Sequence, residues 1–355
     1  MDHIYSSYKV VHHQEKIEGL RNGELILPTC AQIDLTNQCN HHCQFCICNF
    51  YKNIGLNSTF DRNDYIPADR MIVILDELKE AGVLAVEYTG GGEPQCHPEF
   101  TRILRETVNK GLRWSLVTNG AMNSIEGNLD YFRKADWIRV SVDASNAKTH
   151  SLVHGAKDGD FDKVLSFINT LAKECLSVII GVSFVVYPNN YKEIVEVTKM
   201  CRDMGCSNIR LTIAYNPKGI DLFDGKLEEI ADLAKQAERL ETSKFRVFNL
   251  ISSHLKNIIT VKRNYSFCGY QSFTAVIGAD QNLYPCCTLR YNPRSSLGSL
   301  ADNTFKEVWF GEKRRKWLNS NYLSDVCNDH SCLMDNKNEM IEYLTLSNPP
   351  HVDYI

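Results

Sequence analysis

Three cysteines near the N-terminus, Cys39, Cys43 and Cys46, have the residue type and spacing of a metal-binding loop. They form a C-x3-C-x2-C array directly after a short apolar run that is typical of a β-strand. Three thiolates this close together can bind three irons of a cubane iron–sulfur cluster, whose complete ligation takes four cysteines. The fourth iron would keep an open coordination position, which is where a metal centre does chemistry.

Zinc is the main alternative for these cysteines. Zinc sites usually combine a C-x2-4-C pair with a second pair or with histidines. His41 and His42 would suit zinc, but no matching second half follows nearby. The array therefore favours an iron–sulfur cluster over zinc or purely structural cysteines.

The position of Phe45, directly before Cys46, completes the pattern C-x3-C-x-aromatic-C. This pattern resembles the signature of the radical SAM superfamily. The resemblance implies that the open iron of a [4Fe–4S] cluster binds S-adenosylmethionine. It further implies reductive cleavage to methionine and a 5′-deoxyadenosyl radical, which takes a hydrogen atom from an unactivated carbon. An electron donor such as a flavodoxin or ferredoxin would then be a partner.

Length and composition narrow the class of protein. A chain of 355 residues can form one large domain and a smaller one. Its net charge of −4 gives no electrostatic reason to expect nucleic acid. No apolar run reaches the ~20 residues of a membrane span, and the N-terminus lacks the features of a secretory signal. Fourteen cysteines without such a signal favour metal ligation in a reducing, cytoplasmic compartment.

The elements that must position the cysteine loop alternate between strands and helices from residue 30 to about residue 250. Six strands alternating with helices imply parallel βα units with right-handed crossovers. This pattern allows an open doubly wound sheet or a curved partial barrel, and the resemblance implies a partial (β/α)6 barrel. We therefore expect an α/β fold with an N-terminal extension (1–29), the barrel (30–250) and a smaller iron–sulfur domain (251–355). The predicted strands are 30–35, 83–88, 114–118, 137–142, 177–186 and 208–213, with 245–249 as a further candidate.

Polar and glycine residues follow the predicted strands at the ends where ligands bind in parallel α/β folds. The sequence TGGGEP at 89–94 resembles the superfamily's GGE element, which implies that Gly91, Gly92 and Glu93 hold the amino group of S-adenosylmethionine. A tight turn is an equally good interpretation of these glycines. Arg210 could meet a carboxylate or form an ordinary ion pair. By the same resemblance, further contacts to the cofactor are expected from Asn119, Ser141, Asp143 and Ser183. Asn119 could instead belong to a simple turn, and Ser183 could merely satisfy backbone groups.

A second group of cysteines occupies the turn-rich C-terminal region. Cys268, Cys286, Cys327 and Cys332 resemble the ligands of the SPASM/twitch extension of the superfamily. Four cysteines complete one [4Fe–4S] cluster without an open position, so two clusters are expected in the chain. The adjacent Cys287 leaves the second ligand ambiguous, and zinc is an alternative here too.

The expected activity is a net oxidation, or dehydrogenation, of a small polar substrate, with the auxiliary cluster accepting an electron. A small substrate is favoured because residues 1–29 are too few for a leader-binding domain. A peptide-modifying maturase and a radical epimerase are alternatives, the latter with Cys48 or Cys96 as hydrogen donor. An iron–sulfur scaffold or sensor is the non-enzymatic alternative, but it would have no use for an ammonium-binding turn.

Overall fold

The computed structural model describes residues 4–48, 58–122, 125–214, 222–251, 263–329, 332, 334–349 and 351. Within these ranges no helix is long and apolar enough to cross a membrane.

Ten strands of the described chain form one sheet in the order β10-β9-β8-β1-β2-β3-β4-β5-β6-β7. The strands from β8 to β7 in this order are parallel, while β9 and β10 are antiparallel additions at one edge. The strand order does not close on itself, so the predicted α/β class and partial-barrel arrangement are confirmed. The bounds are β1 Cys30–Asp34, β2 Ala85–Thr89, β3 Arg113–Thr118, β4 Trp137–Ser141, β5 Ile179–Val186, β6 Asn208–Ile213, β7 Arg246–Asn249, β8 Thr274–Ile277, β9 Asn282–Tyr284 and β10 Gly298–Ser299.

Helices occupy each connection between consecutive strands from β1 to β7, as parallel pairing requires. The connection from β4 to β5 contains two helices, α5 and α6. The helices are α1 Gln14–Arg21, α2 Ala68–Glu80, α3 Phe100–Asn109, α4 Ile125–Phe132, α5 Ala147–His154, α6 Asp160–Glu174, α7 Ile194–Asp203, α8 Leu227–Glu238, α9 Tyr270–Phe273, α10 Phe305–Trp309, α11 Glu312–Leu318, α12 Tyr322–Asp325 and α13 Asp335–Thr345.

Helix α6 and strand β5 show how the sequence produces this packing. In α6, Phe161, Val164, Ile168 and Leu171 recur at helical spacing and are buried on one face. The continuous apolar run of β5 is buried at six of its eight positions, as expected for a strand covered on both faces. Apolar burial of this kind is the main favourable contribution to folding.

The C-terminal region continues the sheet of the barrel. Strand β8 pairs in parallel with β1, with Cys30 opposite Thr274. A single hydrophobic cluster contains residues of β1–β7 together with Leu283, Phe305 and Trp309. The domain boundary expected at residue 250 therefore lies between two strands of one sheet. Sequence periodicity did not predict this connection, because β8 is short and is not followed by a crossover helix.

Trp309 connects the C-terminal region to the segment that leads into β1. Its indole is fully buried, stacks on Phe305 with 5.5 Å between ring centroids, and donates a hydrogen bond to the Ile26 carbonyl at 2.8 Å. Aromatic side chains of this size contribute a large part of the burial energy of a core.

We expect Trp309→Ala to lower the free energy of unfolding by about 3–5 kcal/mol, because it leaves a cavity in the core. It also removes the donor to the Ile26 carbonyl. Chemical denaturation measures the change. Tyr8→Ala is the control, since Tyr8 is 72% exposed and its loss should change stability by less than about 0.5 kcal/mol. Similar losses in both variants would contradict the structural role of Trp309.

Candidate functional site

The loop after β1 and the loops after β2, β3 and β4 enclose a cavity of about 210 Å³. This follows from the parallel sheet, whose strands present their carboxyl ends at one edge. Nine of the predicted site residues line this cavity with Phe45: Cys39, Cys43, Cys46, Gly91, Gly92, Glu93, Asn119, Ser141 and Asp143. Ser183 lies opposite Ser141 on β5 but is not among the residues that line the cavity in the described chain.

The glycine loop after β2 touches the backbone of the cysteine loop. The Gly92 amide donates to the Thr36 carbonyl and the Glu93 amide to the Gln38 carbonyl, both at 2.9 Å. A Cβ atom on Gly92 would lie 2.1 Å from the Gln38 carbonyl oxygen, which is closer than atoms can approach. Glycine is therefore required here by backbone packing, and the same packing leaves a surface on which a ligand can lie.

The three cysteines fit an iron–sulfur cluster. None forms a disulfide, and all three residues line the same cavity. Burial, together with the nearby Glu93 carboxylate, raises the pKa of the Cys39 thiol to about 12. A bound metal centre reverses this effect, because it stabilises the thiolates directly. The His41 amide donates to the Cys39 sulfur at 3.4 Å, the kind of contact that adjusts cluster potentials.

Glu93 joins the glycine loop to the end of β3. Its carboxylate accepts hydrogen bonds from the Thr118 hydroxyl at 2.6 Å, the Asn119 amide at 2.7 Å and the Gln95 amide at 3.2 Å. Burial raises its pKa, and these hydrogen bonds oppose that shift. A carboxylate has about four acceptor positions. The Gln95 side chain acts on it as a further hydrogen-bond donor, so these protein groups use most of that capacity. Glu93 lines the cavity and stays the predicted acceptor for an ammonium group.

Three buried histidines, His41, His150 and His154, pack against one another beside Cys43, and sequence reasoning assigned a role only to His41, as a zinc ligand. His154 Nδ1 lies 3.2 Å from the Cys43 sulfur, and its Nε2 lies 3.1 Å from Asp143 Oδ2. His150 stacks on His154 with 4.5 Å between centroids. Burial lowers the pKa of His41 to about 4 and that of His150 to about 3. The signal in the sequence was the i, i+4 spacing of His150 and His154, which places both on one helix face.

The histidines also define a second set of metal-ligand atoms. Atoms of His41, Cys43 and His154 all lie within 4.8 Å of one another. Because Cys43 belongs to both sets, a zinc ion here and the iron–sulfur cluster exclude each other. The Asp143 carboxylate, which lines the cavity, accepts a hydrogen bond from the Val185 amide and faces His154. Its expected contact with the cofactor stays a prediction.

A buried ion pair connects the C-terminal region to this cavity. Arg290 lies 3.3 Å from Asp34, at the end of β1, and donates to the Gly90 carbonyl at 2.8 Å. The Tyr291 hydroxyl lies 2.8 Å from Asp34 and 2.7 Å from Asn37. Sequence reasoning missed both residues, because neither stands in a recognisable motif and these partners are 200 or more positions away.

The four predicted auxiliary ligands, Cys268, Cys286, Cys327 and Cys332, line another cavity together with Cys287. Burial raises the pKa of the Cys286 thiol, and all four of the other thiols raise it further. The Cys287 thiol is influenced mainly by burial and by Arg290. Cys286 is thus at the centre of the group, which favours it over Cys287 as the second ligand.

The largest cavity described here, about 660 Å³, lies between the two cysteine groups. It shares Phe45 and Cys46 with the first cavity and Cys287 and Met334 with the second. Cys48 and Cys96, the hydrogen donors considered from sequence, do not line it within the described chain. Cys48 lies instead 3.7 Å from Arg290, and Cys96 lies 3.9 Å from Asn40.

Comparisons with known proteins agree with this architecture. The model of the radical SAM superfamily matches residues 33–201, and the SPASM model, described as an iron–sulfur cluster-binding domain, matches residues 268–333. The chain is 24% identical over 295 residues to the antilisterial bacteriocin subtilosin biosynthesis protein AlbA of Bacillus subtilis (strain 168), covering 81% of this chain and 61% of AlbA.

Two further similarities extend over most of the chain. A tungsten-containing aldehyde ferredoxin oxidoreductase cofactor-modifying protein of Pyrococcus furiosus is 22% identical, with 84% of this chain and 86% of that protein covered. The crystal structure of Streptococcus suis SuiB bound to S-adenosylmethionine superposes with a TM-score of 0.66 at 15% identity, covering 92% of this chain and 78% of SuiB. At 15% identity, the similarity to SuiB supports a shared fold and nothing beyond it.

The position of Cys286 leads to a test of the auxiliary site. We expect the anaerobically reconstituted protein to bind about eight irons, from two four-iron clusters. Cys286→Ser should lower this to about four, whereas Cys287→Ser should leave it near eight. Iron and sulfide analysis measures both. Equal iron content in the two variants, or stoichiometric zinc in the wild-type protein, would contradict the assignment.

The hydrogen bonds of Glu93 lead to a second test. Glu93→Ala should weaken S-adenosylmethionine binding and lower the free energy of unfolding by about 1–3 kcal/mol, because buried donors at Thr118 and Asn119 lose their acceptor. Calorimetry and denaturation measure the two effects. Glu99→Ala is the matched control, since Glu99 is exposed and forms only a surface ion pair. Unchanged cofactor affinity in Glu93→Ala would exclude the proposed contact.

Proposed function

We propose that this chain, which belongs to the radical SAM superfamily and carries a C-terminal SPASM domain, oxidises a substrate held in the 660 Å³ cavity. Its cofactors are [4Fe–4S] clusters and S-adenosylmethionine. With these bound, the N-terminal site would supply the radical that takes one hydrogen atom from the substrate. The substrate radical would then lose an electron to the C-terminal cluster and a proton to solvent, which completes a net dehydrogenation. A flavodoxin or ferredoxin is the proposed electron donor.

The observation that supports this proposal is the position of the large cavity. Its wall includes Cys46 at one place and Cys287, next to Cys286, at another. A substrate in this space would border both cysteine groups. A volume of about 660 Å³ lies within the usual range for ligand sites.

Separate groups of residues would hold the cluster, the cofactor and the substrate. Cys39, Cys43 and Cys46 would hold the first cluster, and Gly91, Gly92 and Glu93 would hold the amino group of the cofactor. Asn119, Ser141 and Asp143 line the same cavity and are the remaining candidates for its polar contacts. The apolar side chains of Phe45, Ile47, Val185, Ile213 and Leu222 line the substrate cavity, where they would exclude water from a reactive intermediate.

Peptide modification is the second candidate function. AlbA is described as a bacteriocin biosynthesis protein, and SuiB has been crystallised with its precursor peptide. The cavity would then receive a side chain of a peptide rather than a free small molecule. Epimerisation is less well supported, because neither Cys48 nor Cys96 lines the cavity in the described chain.

Anaerobic incubation with S-adenosylmethionine and dithionite tests the central step. Wild-type protein should release 5′-deoxyadenosine, and Cys39→Ala should not, because one of three ligands of the first cluster is lost. Cys96→Ala is the control, since Cys96 is a neighbouring thiol outside the ligand set and should keep the activity. Release of 5′-deoxyadenosine by Cys39→Ala would overturn the assignment.

The fate of the second electron is measured separately. Incubation with fractionated metabolites and peptides should give a product two hydrogens lighter than its substrate, and Cys286→Ser should fail to form it while still cleaving S-adenosylmethionine. Wild-type yield from a well-folded Cys286→Ser variant would exclude the redox role of the C-terminal cluster. Incorporation of solvent deuterium into an isomeric product would favour the epimerase.

A further inference from the structure

Two cationic side chains in the 660 Å³ cavity lack an acidic partner. Arg210 extends from β6 and Lys337 from α13, and both line this cavity. A third cation in the wall, Arg290, is already neutralised by Asp34. The contrast matters because an unpaired charge away from bulk water is costly, so protein cations in such places normally have carboxylate partners.

Arg210 makes only weak polar contacts. One Nη atom donates to the Ser183 hydroxyl at 3.2 Å, and the guanidinium carbon lies 5.7 Å from the Tyr5 ring centroid. Its Nε atom is buried without a hydrogen-bond partner, and no carboxylate of the described residues is within 4.0 Å of the group. Burial lowers its pKa to about 10, and the positive charge of Arg139 acts in the same direction.

Lys337, on helix α13, lines the same cavity and likewise lacks an ion pair among the described residues. Its ammonium lies 5.4 Å from the Tyr270 ring centroid, and within the described ranges it forms no ion pair. Burial lowers its pKa. Its neighbour Asp335 is engaged elsewhere, by a hydrogen bond from the Tyr265 hydroxyl at 2.7 Å. The Glu87 carboxylate favours its charged form but forms no ion pair with it within the described ranges. The ammonium group can therefore still pair with a ligand in the cavity.

We propose that the cavity takes a substrate with an anionic group, a carboxylate or a phosphate, and that Arg210 and Lys337 bind this group. The guanidinium of arginine matches the two oxygens of either anion, and its buried Nε is an unused donor. This inference rests on the proposed function, since it assumes that the cavity is the substrate site. It adds to that proposal the chemical class of the substrate, which is an anion.

The competing explanation is that Arg210 binds the carboxylate of S-adenosylmethionine. Arg210 contacts Ser183, a residue expected to hold that cofactor. Arg210 lines the large cavity, however, and is absent from the wall of the smaller one, where the predicted cofactor residues lie. An experiment at saturating S-adenosylmethionine separates the two explanations.

Calorimetric titration of the reconstituted protein, with S-adenosylmethionine at saturation, can use three probes of similar size. Hippurate carries a carboxylate, phenyl phosphate a phosphate, and N-benzoylglycinamide no charge. We expect at least one anionic probe to bind about tenfold more tightly than the neutral one, as for a charge-assisted hydrogen bond. The tighter of the two anions identifies which group the substrate carries.

Arg210→Gln and Lys337→Gln should each remove most of this tenfold preference. Arg133→Gln and Lys192→Gln are matched controls on exposed surface positions and should keep it. Equal binding of charged and neutral probes by wild-type protein would overturn the proposal. So would an anion preference that disappears when S-adenosylmethionine is added, since the cations would then serve the cofactor.

Thermal stability without any probe gives a readout that a purely structural role would not reproduce. Removing an unpaired cation from the cavity wall should leave the melting temperature of Lys337→Gln unchanged or higher. A lower melting temperature with unchanged probe binding would assign Lys337 to the structure alone.

Release of 5′-deoxyadenosine is assayed in parallel, to separate a failure of this inference from a failure of the proposed function. A protein that cleaves S-adenosylmethionine without anion preference keeps the proposed function and loses this inference. One that prefers anions without cleavage loses only the proposed function.

Discussion

The close backbone contact between the glycine loop and the cysteine loop is the constraint on which the site depends. It rests on two hydrogen bonds, from Gly92 to Thr36 and from Glu93 to Gln38. Any side chain at Gly92 would separate the loops, because its Cβ would meet the Gln38 carbonyl. With the loops together, the Glu93 carboxylate reaches Thr118 and Asn119 on the next strand. One steric requirement thus brings three strand ends around a single cavity.

The charged groups around the cavities fall into two classes with different physical consequences. Asp34 and Arg290 neutralise each other in a buried pair, and Tyr291 provides a further hydrogen-bonding group beside the carboxylate. Such a pair mainly fixes geometry, because its Coulomb attraction is largely offset by lost hydration. Arg210 and Lys337 lack this compensation among the described residues. The carboxylates that favour their charge form no ion pair with them within the described chain, and the proposed anionic substrate would supply the missing partner.

Local sequence patterns predicted the parts of the structure that depend on neighbouring residues. The spacing of Cys39, Cys43 and Cys46 identified the first site, and strand–helix alternation gave the six parallel strands that position it. The contacts that sequence could not supply join distant segments. Arg290 is 256 positions from Asp34, and His154 is 111 positions from Cys43. No periodicity or motif encodes such pairs, because they arise only when the sheet has brought its strand ends together. The choice between Cys286 and Cys287 likewise depended on which of them lies among the other C-terminal cysteines.

The strand that carries the cysteine loop shows why the C-terminal region is part of the site rather than an appendage. Strand β1 has two neighbours, β2, which carries the glycine loop, and β8, which begins the C-terminal part of the sheet. The position of β1 is therefore fixed from both sides by backbone pairing. Arg290 adds a side-chain link by reaching Gly90 in the glycine loop itself. Loss of order around the C-terminal cysteines would remove support from one side of β1 and from the glycine loop together. The two cysteine groups are thus mechanically coupled through the protein, whether or not an electron passes between them.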